Sequence, residues 1–215
     1  MNKDELLNQV EKKVASCRKC SLYKTATNPV PGNGGSGAEI VFIGEAPGFH
    51  EDQRGIPFCG AAGKLLDELL SSIGLDRNKV FVANMLKHRP PENRDPAVEE
   101  MEACGEYLDG QIKIINPKAI VTLGRFSMAK FYPYGKISVD HGKGRIIEYN
   151  GQKYIFIPMY HPAAALRAGA VDTQLKEDFK KMPEEIRRLE KILKGETEVK
   201  VPVVETKKEE QLPLV

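Results

Sequence analysis

The sequence predicts one α/β domain built on a mostly parallel sheet of four strands flanked by helices. Three observations point there. Four short apolar runs recur along the chain, and stretches with helical spacing separate them. The runs are mostly apolar rather than alternating, as expected of strands covered on both faces. The length, 215 residues, suits a single core.

Each element has its own signal. Residues 4–16 carry Leu6, Leu7, Val10 and Val14 at helical spacing, with an end expected near Cys17. A Pro/Gly-rich loop, PVPGNGGSG at 29–37, precedes the first strand, EIVFIGEA at 39–46, which Pro47 and Gly48 close. From 61 to 73, Leu65, Leu66, Leu69 and Leu70 share one helical face, and Gly74 is a natural stop. VFVANML at 80–86 is the second strand. After the loop HRPPENRDP, Pro96 opens an amphipathic helix over 96–115. AIVTLG at 119–124 and KYIFIPMYH at 153–161 are the third and fourth strands, the last disrupted near its end by Pro158. Between them, 125–134 reads as helix and SVDHGKGRIIEYNGQ as a hairpin turning at Asn150-Gly151. A charged helix is expected over 172–194, so the domain spans 1–194. Residues 195–215 form a tail with the composition of a mobile segment.

Composition narrows the function. Lys plus Arg number 32 against 30 for Asp plus Glu, a net charge of +2, so a nucleic-acid site would be a local patch. No apolar run approaches the roughly 18–20 residues of a membrane span, and MNKDELLNQV lacks the apolar core of a signal peptide. A cytoplasmic monomer is expected. Four cysteines, two of them in a CxxC pair, point to metal ligation or redox chemistry rather than a disulfide framework.

In parallel sheets, ligands gather beyond the carboxyl ends of the strands. Here those ends are GEAPG at 44–48, Asn84 to Arg89, Gly124-Arg125 and Tyr160-His161-Pro162. One shared site is expected there. Gly32, Gly34 and Gly37 satisfy the dinucleotide pattern GxGxxG but precede a strand instead of following one, so the match is discounted. Cys17-Arg18-Lys19-Cys20 can hold one metal centre from a single turn, and the flanking positive charge favours thiolates. Cys104 and His88 are candidates to complete four ligands, leaving Cys59 over. Zinc and an iron–sulfur cluster both suit that set, and two inert or redox-paired cysteines would need no metal. Glu45 places a carboxylate at a sheet's rim, with Glu51 and Asp52 close behind. Asn84 is unusual in a strand, and its amide suits a base edge. Phe58 could stack on a ring, and His161 closes the last strand.

As a set these pieces resemble the uracil-DNA glycosylase superfamily, most closely its family 4 iron–sulfur enzymes. The matching segments are CRKC, GEAPG with Glu51-Asp52, GIPF, the strand with Asn84, RPPENRDP, the helical Cys104, the LGR turn at 123–125, and His161-Pro162-Ala163, spanning about 17–170. The resemblance implies a DNA repair glycosylase that flips uracil from DNA and hydrolyses its N-glycosidic bond, leaving an abasic site.

It also implies a 4Fe–4S cluster, with Cys17, Cys20 and Cys104 at three ligand positions and His88 in place of the fourth cysteine. Cys3His ligation follows, with an altered potential and weaker retention. The X-type branch, similar at this position, bonds covalently to DNA through an inserted loop that RPPENRDP replaces here, so ordinary turnover is expected. The resemblance places Phe58 on the flipped base and Asn84 on its O4 and N3 edge. Gly44, Ala46 and Gly48 line the site, and His161 donates a hydrogen bond to O2 as negative charge collects there, worth roughly 3–4 kcal/mol in comparable oxyanion sites. Ala46 stands where better-known glycosylases carry Asp or Asn, so Glu45 is the first candidate for positioning water, with Glu51 behind it. Arg89, Arg94, Arg125 and Arg167 are expected phosphate contacts and Leu166 a wedge into the vacated stack. The tail could recruit a replication or repair partner. The rival reading is a zinc-stabilised, non-catalytic nucleic-acid-binding module.

Overall fold

Buried apolar runs become parallel strands when helices cover both of their faces, and the computed structural model of the protein shows that arrangement. It describes residues 1–196 and 203–205. The strands are β1 (Ile40–Gly44), β2 (Phe81–Asn84), β3 (Ala119–Leu123), β4 (Arg145–Tyr149), β5 (Gln152–Met159) and β6 (Val203–Glu205), ordered β2-β1-β3-β5-β4-β6. β2, β1, β3 and β5 are the four expected parallel strands. The hairpin adds β4 antiparallel to β5, and β6 runs parallel to β4. β6 lies inside the stretch expected to be a tail; the rest of that stretch beyond residue 196 is outside the described residues.

The helices are α1 (Lys3–Ala15), α2 (Phe49–Arg54), α3 (Ala61–Ser72), α4 (Val98–Ile115), α5 (Arg125–Phe131), α6 (Ile137–Asp140), α7 (Pro162–Ala165) and α8 (Gly169–Leu193). One face of the sheet is covered by α3, α7 and α8, where Leu65, Leu66, Leu69, Leu70, Leu175 and Phe179 join Phe42, Val121 and Ile157 in one core. Phe42 stacks on Phe179 at 6.0 Å between ring centroids. The other face packs Val41, Ile43 and Ile120 against Leu108, Ile112 and Ile115 of α4 and Phe131 of α5. Each such side chain contributes about 1.5–3 kcal/mol by leaving water.

Three expectations are corrected. The fourth helix starts at Val98 instead of Pro96, because Ala97 is extended (ψ 154°) and its N–H donates 2.9 Å to the Glu100 carboxylate, which fixes the first turn. Pro158 does not break β5; it sits inside the strand opposite Thr122. The stretch read as the hairpin's outer arm begins instead with α6, and strand geometry starts only at Arg145. Gly74 does stop α3, at φ 72°, with the Leu75 N–H closing back on the Leu70 carbonyl. No helix among the described residues is long and apolar enough to cross a membrane.

Candidate active site

At the carboxyl edge of the sheet Gly44 and Asn84 are register partners. Asn84 is buried, and its Nδ2 donates 2.7 Å to Glu51 Oε2. Its Oδ1 is directed at Gly44, where any Cβ would overlap it, and the same Cβ would lie 2.8 Å from the Phe58 ring. Glycine at 44 lets an amide and an aromatic ring close in on the strand backbone.

Phe58 is buried and sits at φ 53°, a left-handed conformation costing a bulky residue on the order of 1–3 kcal/mol. Its surroundings hold it there. Gly63 of α3 approaches the Phe58 carbonyl so closely that a Cβ could not fit, and Arg77 Nη2 donates 3.2 Å to the Pro57 carbonyl. The ring faces His161, with 5.5 Å between centroids.

His161 caps the N-terminus of α7, its Nδ1 accepting from the Ala163 N–H at 3.1 Å. That bond assigns the proton of the neutral ring to Nε2. Burial, with Arg167 nearby, drives the imidazole pKa down to about 4, so the ring is a neutral donor at physiological pH. Two carboxyl groups move the other way. Burial pushes Glu51 up to about 7 against the opposing pull of Asn84, the N–H groups of Phe58 and Gly48, and Arg77. Burial also pushes Glu45 to about 7; Asp95 adds to the rise and Arg125 opposes it. Asp52 is spent elsewhere: it is buried and accepts from the Thr27 and Asn28 N–H groups, fastening that loop. The edge thus joins a flat ring, an oriented amide, a neutral N–H donor and two carboxyls that titrate near neutrality. That combination suits recognition of a planar base with acid–base chemistry at pH 7.

Cys17, Cys20 and Cys104 lie apart from these groups. Cys17, Cys20, Cys59 and Cys104 are free thiols. Cys20 and Cys104 are hydrogen-bonded, and each feels the charge of Cys17. Burial raises Cys104 to about 11, while the Lys87 N–H donates to its sulfur. His88 is buried, its Nδ1 has no partner, and it lines with Cys17 a cavity of about 370 Å³. An orphaned ring nitrogen near clustered thiols brings soft and borderline donors into one region. Among the described residues no three such side chains are arranged to hold a single ion.

The model of the uracil DNA glycosylase superfamily matches residues 31–187, which include every residue placed at the sheet edge above. The chain belongs to that superfamily. Within the superfamily it is similar to the type-4 uracil-DNA glycosylase of Archaeoglobus fulgidus, 48% identical over 84% of this chain and 93% of that one. The type-4 enzyme of Sulfurisphaera tokodaii is 48% identical over 83% of this chain and 84% of its own. That of Thermotoga maritima is 44% identical over 77% and 85% respectively.

Against that superfamily membership, the sequence-predicted residues fall into groups. Gly44, Glu45, Glu51, Phe58, Asn84 and His161 come together at one edge, with Ala46 and Gly48 on the loop between β1 and α2. Arg94 grips Glu100 through both terminal nitrogens, at 2.9 and 2.6 Å, and so secures the start of α4. Arg125 pairs with Asp95 at 2.6 Å. Arg167 and Leu166 project from the turn after α7, where Leu166 is 54% exposed. Sequence reasoning passed over Lys87. It is fully buried, and its Nζ donates 2.9 Å to the Asn84 carbonyl and 2.9 Å to Gln111 Oε1. Gln111 in turn donates to the Pro31 carbonyl at 2.7 Å, so the amide-bearing strand end is tied to α4 and the glycine-rich loop. Burial brings the Lys87 ammonium down to about 7. A lysine directly after an apolar run was the one available signal.

Proposed function

We propose that this protein is a DNA repair glycosylase that flips uracil from DNA and hydrolyses its N-glycosidic bond, leaving an abasic site. The observation that carries the reading is the neutral His161 imidazole, with its proton on Nε2, set against the Phe58 ring at the edge that also holds the Asn84 amide. Breaking the C1′–N1 bond leaves negative charge on the uracil ring, and a preorganised N–H donor steadies it at O2 without a proton being transferred. Phe58 is the stacking surface for the extruded base. Asn84 Oδ1 accepts from uracil N3–H, and the Nδ2 hydrogen not given to Glu51 reaches O4. Cytosine offers the reverse pattern and leaves both groups unpaired. Glu45, poised near neutrality by burial, is the group that positions and deprotonates water; Glu51 holds the amide. Arg89, Arg125 and Arg167 contact phosphates, and Leu166 fills the vacated stack.

Cys17, Cys20, Cys104 and His88 are the residues that would hold a 4Fe–4S cluster. Bound there, it would supply a cross-link between the N-terminal segment and the 88–104 region, and no acid or base.

The test is direct. The purified protein, incubated with a uracil-containing oligonucleotide, is expected to generate alkali-labile abasic sites; intact strands throughout would refute the reading. His161→Ala is expected to slow the chemical step by about 10²–10³-fold with DNA affinity nearly unchanged. Equal losses in rate and affinity would remove His161 from its transition-state role.

A further inference from the structure

Phe49 opens α2 directly after the loop that carries Glu45 and Gly48, and it is 52% exposed. A single exposed ring is ordinary on a protein surface. This one is not free-standing. The Arg89 guanidinium lies over it, 5.3 Å from the ring centroid, and the His50 ring meets it edge-on at 5.4 Å. Arg89 comes from the other side of the site, after β2, and its Nε donates 2.8 Å to Asn93 Oδ1. Asn93 and Glu92 both adopt left-handed backbone, at φ 54° and 55°, so the turn that fixes Arg89 is itself constrained. The two terminal nitrogens of Arg89 have no partner among the described residues. His50 packs in turn on Gly60, in the loop that carries Phe58. A second, solvent-facing ring with a cation over it therefore stands on the rim beside the first.

From this geometry we infer that Phe49, clamped under Arg89, is a second stacking platform that takes a base of the substrate strand next to the flipped nucleotide. The inference rests on the glycosylase reading. A flat apolar ring paired with an unneutralised guanidinium matches an unpaired nucleotide, which offers a base face and a phosphate together. Position agrees. The Phe49 loop follows β1 and the Leu166 turn follows β5, with β3 between them in the sheet. The two therefore follow different strands of the same edge, and Leu166 and Phe49 can engage different positions of one DNA strand. Ring stacking needs a base free of its duplex neighbours, so the contact favours uracil in single-stranded or locally opened DNA.

The experiment uses the full-length protein and single-stranded uracil oligonucleotides in which each neighbour of the uracil is replaced, in turn, by an abasic spacer. For the wild type, a spacer at one position is expected to raise KM roughly 5- to 150-fold, the loss that one base–aromatic stack accounts for. Phe49→Ala should show the same loss on the normal oligonucleotide, with kcat within about threefold, and should no longer respond to the spacer. Phe49→Trp should restore affinity, and Phe49→Leu should not. Tyr134→Ala, which removes an exposed ring elsewhere, is the control and should keep the wild-type KM. If wild type releases uracil but Phe49→Ala keeps its KM within twofold, this inference alone falls. The same is true if its loss is equal on every spacer oligonucleotide, or if Leu restores it fully. If wild type releases no uracil from any oligonucleotide, the parent reading falls and takes this one with it.

Discussion

An asparagine amide presented to a pyrimidine can be rotated by half a turn, and the two orientations suit opposite hydrogen-bonding edges. At Asn84 the choice is made by Glu51, whose carboxylate accepts from Nδ2 and would repel Oδ1. Replacing Glu51 with Gln leaves a partner that serves either orientation. Excision by Glu51→Gln should therefore fall only about tenfold, the size of one lost charge-assisted hydrogen bond. Glu45→Gln, which removes the proposed base, should lose about 10²–10⁴-fold. Single-turnover rates on one uracil oligonucleotide separate the two, and the reverse ranking would exchange their roles. The pH dependence follows from the same groups. Glu45 acts only when ionised, so the rate should climb through about pH 7 to a plateau, while His161, at about 4, stays neutral throughout. Stability should run the opposite way. Both carboxyls lie above their unfolded value of 4.5, so their ionisation costs the fold. That cost grows as pH rises from about 4.5 to 7 and persists above it. For Glu51 the full shift is at most about 3 kcal/mol. Glu51→Gln should then raise Tm at pH 8 by several degrees and at pH 5 hardly at all, as measured by thermal melting.

Elements position this chemistry through contacts too close for ordinary side chains. α3 presses Gly63 against the Phe58 carbonyl, and Gly63→Ala would push the Phe58 loop away from its left-handed turn. Such overpacking costs about 1–3 kcal/mol. The expected outcome is a Tm lower by roughly 2–12 °C together with weaker binding of uracil-containing DNA. Unchanged melting and affinity would show that the loop is not held from α3. None of this crowding could be read beforehand, because FCGAAG carries no sign of a left-handed phenylalanine. The parallel strands were legible, since a strand buried on both faces must be mostly apolar, and so was the apolar face of α3. α2 was not, because its only buried side chain is Asp52 and six residues show no apolar stripe. The start of α4 was misplaced because Pro96 is a strong local signal, whereas the Glu100 cap depends on Arg94 folding back. The carboxyl edge of the sheet could be named from topology alone. Which residues there touch, and that Lys87 braces the Asn84 carbonyl from inside, depended on packing.

At the scale of the whole molecule, the proposed cluster ligands come from parts that the sheet does not join. Cys17 and Cys20 follow α1, Cys104 lies on α4, and His88 begins the loop between β2 and α4. The strands draw their stability from two apolar cores that contain none of these four residues. The N-terminal segment rests on smaller contacts: Val14 and Cys17 with Tyr107, Leu22 with Leu86 and Cys104, Leu7 on the margin of the second core, and a bond from Lys3 to the Ile115 carbonyl. Loss of a cluster held by Cys17, Cys20, Cys104 and His88 should accordingly loosen the N-terminal segment and the 86–104 region and spare the sheet. Hydrogen exchange on protein stripped of iron under anaerobic, reducing conditions should show faster exchange there, with the amides of β1, β3 and β5 still protected. His88→Ala should lower iron per chain, while His88→Cys should retain it at least as well as wild type, because thiolate holds iron more firmly than imidazole does. Since the proposed cross-link contributes no acid or base, the fraction of His88→Ala that keeps iron should excise uracil at the wild-type rate. Full iron occupancy in His88→Ala would strike His88 from the ligand set, and uniform deprotection of the sheet on stripping would make the centre a support of the whole fold instead of a local tie.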